Sequence, residues 1–185
     1  DEAIAAAIQE NVVGVKTATV KSNRTMTTDA EGRPPKCFEA LVAGVSDEDI
    51  AKCIWDNQPS GIQPYGNVTV MVTDKAGDQQ AISFSRPVPK YLWVKVSYYL
   101  YSEEQFPGST AMKQGIVDWS EVEYQMGKDV IPDRIYNGIY KVPGVGQASI
   151  QVAVTDDANG TPSYGTNTIA ISTSEYATLA PERIT

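Results

Sequence analysis

Two stretches of the chain are built alike, and they constrain its fold more than any other feature. "IQENVVGVKTATVKSN", residues 8–23, and "IYKVPGVGQASIQVAV", residues 139–154, each break a helical apolar pattern at Gly-Val and then alternate as a strand does. Gly14, Val15, Ala18 and Val20 correspond to Gly144, Val145, Ala148 and Ile150. Glycine is the natural residue where a helix stops in a left-handed turn, so each copy predicts a short helix feeding directly into a sheet. The copies differ by one residue in helix spacing, so only the turn and the strand align, and two such starts fit a chain of two small domains.

The remaining punctuation fits that division. Pro87 and Pro89 in "RPVPK", residues 86–90, cannot donate to a ladder and predict a boundary there. The first unit, residues 1–87, reads as helix 2–12, strand 14–23, an exposed turn-rich loop 24–36, and strand 37–44. Helix 47–57 follows, with Ser46 and Asp49 as a capping box, then a hairpin of 67–74 with 80–87. The second, residues 88–185, reads as strand 91–101, helix 109–125, and a helix from Pro132 that ends at Pro143-Gly144. Its closing strand pair is 146–156 with 167–175. Large side chains on both sides of "YLWVKVSYYLY" predict that both faces of this strand are covered. The expected class is α+β, two small domains of mixed or antiparallel sheet in the orders αββαββ and βααββ.

Composition narrows the chemistry. The chain has no histidine, which closes His-based triads, Cys–His pairs, His-ligated zinc and imidazole acid–base catalysis. A formal net charge of −8 without clustered Lys or Arg argues against nucleic acid as a partner. No apolar run approaches the roughly 18–20 residues that cross a bilayer. Cys37 and Cys53 lack the spacing of a disulfide framework and are expected to be reduced thiols. "DEAIAAAIQE" opens with acids where a secretory leader carries basic residues, and no Met precedes it, so the sequence is expected to continue a longer polypeptide.

Several local patterns have a plain structural reading. Asp118, Glu121 and Glu123 surround Trp119 as glycosidase carboxylates could, but their spacing puts them on a solvated helix face. "DDANG", residues 156–160, is rich in oxygen ligands yet has the Asn-Gly of a turn and not the spacing of a calcium loop. The sequons at Asn23, Asn67 and Asn159 are read as chance, and no glycine-rich phosphate cradle occurs. Aromatic residues are enriched where proteins bury surface against partners, and they crowd the second unit. Contact surfaces are therefore expected on the loop 24–36, the turn 57–66 and the strand 91–101. Asp29, Arg33, Trp55, Tyr65, Trp93, Tyr98, Tyr99, Tyr101 and Phe106 are the candidate contact residues.

The order of these motifs resembles the baseplate J-like proteins of contractile phage tails and related injection systems. The residues that carry the resemblance in the first unit are Gly14-Val15, "TDAEGRPP" at 28–35, "DIAKCIWDNQPSGIQPYG" at 49–66 and "VTVMVTDKAGDQQAISFSRP" at 68–87. In the second they are "GKDVIPDRIYNGIYKVPGV" at 127–145 and Glu175-Tyr176-Ala177. The resemblance spans the whole chain and implies the middle and C-terminal domains of a baseplate wedge subunit. It also implies a virion protein assembled in the host cytoplasm, whose partners are other wedge and hub proteins and further copies of itself. Neither a catalytic residue, a cofactor nor a metal is implied, and no membrane or small-molecule substrate is expected. A carbohydrate- or receptor-binding module of a tail or cell surface, with exposed Tyr and Trp as sugar platforms, is the alternative that the residues leave open.

Overall fold

The fold is that of a computed structural model, which describes residues 1–44 and 46–185. It is α+β, with four α-helices and three small sheets among the described residues. The chain divides into two compact units, Asp1–Pro87 and Val88–Thr185.

In the first unit, α1 (Glu2–Asn11) buries Ile4 and Ile8, one turn apart on its inner face. Gly14 then adopts φ 83° and turns the chain into β1 (Val15–Asn23), which pairs antiparallel with β2 (Cys37–Gly44). Ser46 caps α2 (Asp47–Asn57): its Oγ accepts from Asp49 N–H at 3.3 Å and donates to the Asp49 carboxylate at 2.8 Å. The Asp49 side chain closes this cap through the Ser46 hydroxyl. β3 (Gln63–Tyr65) lies parallel to the start of β2. Three residues with Pro64 at their centre show no alternation, which is why the sequence reads this segment only as a connection. A hairpin, β4 (Val68–Thr73) and β5 (Gln79–Phe84), completes the unit. Its turn is held by Asp74, whose carboxylate accepts from the N–H groups of Ala76 and Asp78, both at 2.9 Å. Phe84 and Ile82 drive into a core with Ile8, Phe38, Val42, Ile50 and Ile54.

The second unit opens with β6 (Val88–Leu100), which begins inside the proline-rich segment, ahead of the expected start at 91. Pro89 is tolerated for a directional reason. Val88 N–H donates to Ser174 O at 3.0 Å, so the backbone of Pro89 faces the opposite edge, where pairing starts only at Tyr91. That opposite neighbour is β7 (Val145–Thr155), antiparallel to β6 from Tyr91↔Thr155 to Leu100↔Val145. The expected pairing of 146–156 with 167–175 does not form. Residues 167–174 carry alternating Ile169 and Ile171, but their backbone bonds go elsewhere: Ile169 bridges Val130, and Ile171 N–H donates to the Asp129 carboxylate at 2.9 Å. The third strand is β8 (Glu175–Thr178), parallel to the first residues of β6.

Two helices, α3 (Ser109–Glu123) and α4 (Pro132–Ile139), supply Met112, Ile116, Ile135 and Ile139 to a core with Leu92, Val94, Ile150 and Val152. These sheet residues lie on one face, and the helices cover that face alone. On the other, Lys95, Ser97 and Tyr99 are exposed, which corrects the expectation that both faces of this strand are covered. Polar residues at alternate positions of β7 keep that side wet. Gly144 ends the run from α4 with φ 84°, matching Gly14, so the repeated Gly-Val is a repeated backbone device for starting a sheet.

Candidate interface surfaces

The loop 24–36 is held from inside. Asn23 is buried at its base, where Nδ2 donates to the carbonyls of Thr27, Arg33 and Pro34 at 2.8–2.9 Å and Oδ1 accepts from Thr25. A side chain so engaged is closed to glycosylation in the folded protein. Arg33, expected at a contact surface, is 8% exposed. Its Nε donates to Asp29 Oδ2 at 2.7 Å, while its terminal nitrogens meet Glu31 at 3.1 Å and Glu39 at 3.5 Å. Burial alone would raise the Asp29 carboxyl, but the Arg33 N–H, guanidinium and charge, with Glu31 N–H, outweigh it and hold it below the ordinary value. Arg33 therefore organises the loop and offers nothing outward, and Asp29 is committed to the same clasp.

The aromatic candidates separate by side of the sheet. Tyr98 stands on the helix-covered side of β6 with Phe106, ring centroids 5.5 Å apart, and Phe106 packs on the core. Trp93 points the other way but is half-buried, its Nε1–H donating to Thr155 Oγ1 at 2.9 Å. Tyr65 is half-buried in β3, opposite Glu39. Trp55 is half-buried between two grooves, one along β4 and one along the connection 58–64. Tyr98 is 37% exposed, and Tyr99 and Tyr101 are 69% and 65% exposed.

Tyr99 belongs to a continuous patch. Register places Lys95 opposite Gln151, Ser97 opposite Ser149 and Tyr99 opposite Gln147, and all six side chains are exposed on the face without helices. The β7 residues carry no aromatic signal and show in the sequence only as the polar residues at every second position of "QASIQ". One aromatic ring among short hydroxyl and amide side chains is the composition of adaptable protein-binding surfaces.

Of the carboxylates near Trp119, Asp118 and Glu121 lie on the solvated face as expected, and Glu123 is half-buried. Glu123 pairs with Arg134 at 2.6 Å, Asp118 accepts from Gln114 at 2.8 Å, and Glu121 is exposed. Burial raises both free thiols, Cys37 and Cys53, above the ordinary thiol value, which keeps them protonated and unreactive. Among the described residues no group of three or more Cys, Asp or Glu side chains is placed to hold a metal ion, and no helix is long and apolar enough to cross a membrane.

No family model matches the chain, and no curated protein matches it.

Proposed function

We propose that the chain is a structural subunit that works by binding other proteins, as a wedge component of a contractile-tail baseplate would. The observation that carries this reading is the open sheet face of β6 and β7, where Lys95, Ser97, Tyr99, Gln147, Ser149 and Gln151 form one exposed patch on a scaffold fixed by the helices behind it. The order of motifs along the sequence supports placing that patch in a tail baseplate, against neighbouring baseplate proteins or further copies of the chain. Binding of this kind needs no reacting group, only two rigid units whose contacts can be exchanged for others.

Co-expression with the neighbouring tail proteins tests the reading. Ser149→Arg adds bulk and charge at an exposed position that contributes nothing to the core, so the variant folds and fails to co-purify with its partners. Undiminished co-assembly of Ser149→Arg would set the proposal aside, and sugar-dependent thermal stabilisation of the isolated chain would favour the glycan-binding alternative.

A further inference from the structure

Among the described residues strand β4 has a single ladder neighbour, β5, and its other edge opens on a groove of about 870 Å³. Val70, Val72 and Trp55 line the groove together with Glu48, Lys52 and Asp56 of α2. The direction of the backbone groups follows from the ladder. Asp74 N–H donates to Asp78 O at 2.9 Å at the mouth of the hairpin, and hydrogen-bonded pairs alternate from there. Val72, Val70 and Val68 therefore exchange bonds with β5, while the N–H and C=O groups of Thr69, Met71 and Thr73 point into the open edge. Side chains agree, because the closer, non-bonded pairs are the ones linked across the hairpin: Thr69 Oγ1 with Ser83 Oγ at 2.9 Å, and Gln79 Nε2 to Thr73 Oγ1 at 2.7 Å.

Exposed strand edges are normally blunted by a charge, a proline or a bulge. "VTVMVT" has none of these: its register runs unbroken from Val68↔Phe84 to Thr73↔Gln79, and Met71 at its centre is 56% exposed.

We propose that the groove between β4 and α2 is a strand-addition site for an extended segment of a partner protein. The segment pairs with the backbone of Thr69, Met71 and Thr73 and sets alternate apolar side chains on Val70, Val72 and Trp55. Its charge is set by the wall. Glu48 and Asp56 flank Lys52 one helical turn to either side, and with Asp74 they outnumber the groove's cations, Lys52 and Lys75, on a chain of net charge −8, so the segment carries Lys or Arg beside its apolar residues. A second copy fits less well: pairing β4 with β4 about a two-fold axis sets both α2 helices on one face, the acidic wall of one against that of the other.

A displayed library of random peptides of about ten residues, selected on the full chain, tests this, with amide hydrogen exchange as the readout. The expected peptides alternate apolar residues with Lys or Arg and slow exchange at Thr69, Met71 and Thr73 by about tenfold or more, leaving Val70 and Val72 as they were. N-methylation of alternate peptide amides and Met71→Pro, which removes an N–H that β5 does not use, each weaken binding by about tenfold or more. Thermal unfolding of Met71→Pro separates lost binding from lost fold, and the N-methylated peptide tests pairing on the unaltered protein. Selection of no peptide that protects these three amides overturns the proposal. So does their protection by rising protein concentration alone, which would give the edge to a second copy.

Discussion

Arg33 Nε donates to Asp29 Oδ2 at 2.7 Å, and the pair closes the loop 24–36 from within. Asp29 Oδ1 also accepts from the backbone N–H of Arg33 at 2.9 Å and of Glu31 at 3.1 Å, so a single carboxylate fixes both the side chain and the turn. The folded-state carboxyl value lies below the ordinary one. Its stabilising effect is therefore complete above the ordinary carboxylate value and is lost as pH falls through the lower, folded value. Amide exchange in residues 24–36 is expected to stay slow down to the ordinary carboxylate range and to accelerate below it. Asp29→Asn should show the fast exchange at neutral pH, and a loop equally protected in wild type and variant would contradict the assignment.

Gly144 and Gly77 both have positive φ, 84° and 95°, yet they should respond differently to alanine. A Cβ at Gly77 meets nothing within 4 Å, so Gly77→Ala costs only the left-handed strain, about 1–2 kcal/mol. At Gly144 a Cβ would run into the carbonyl oxygen of Ser102 and lie 2.9 Å from the backbone nitrogen of Phe106. Backbone must move there, so Gly144→Ala is expected to cost about 1–3 kcal/mol more than Gly77→Ala in chemical denaturation. Equal losses would mean that the close approach is unimportant.

Much of the fold is legible in the sequence because it rests on local signals. The Ser46 cap, the hairpin of β4 and β5 and the two Gly-Val starts each act within a few residues, and each lies where the pattern places it. The rest of the fold depends on distant partners. β8 is four residues long and lies beside Val88 of β6, 87 positions away in register, and no alternation in "EYAT" announces a parallel neighbour. "NTIAISTSE" alternates as a strand would, yet Val130 and Asp129 take up its backbone. The candidate contact residues divide for a similar reason: Arg33 and Tyr99 both read as exposed large side chains, and only the three carboxylates around Arg33 distinguish them.

Ile116 lies at the centre of the second core, fully buried on α3 against the sheet. Ile116→Ala leaves a cavity between helix and sheet and is expected to cost about 2–5 kcal/mol in chemical denaturation. Val122→Ala, on the same helix but 79% exposed, should change stability by less than about 0.5 kcal/mol. A small loss at Ile116 would show that α3 is not anchored on that face.

The most direct test of the account is hydroxyl-radical footprinting of Tyr99, compared between the isolated chain and assembled tail particles. Tyr99 is 69% exposed in the isolated chain, so it is modified readily there, and the account predicts strong protection in the particle, where a neighbouring subunit covers the face it shares with Lys95 and Gln147. Equal modification of Tyr99 in both samples, or tail particles that lack the chain, would contradict it.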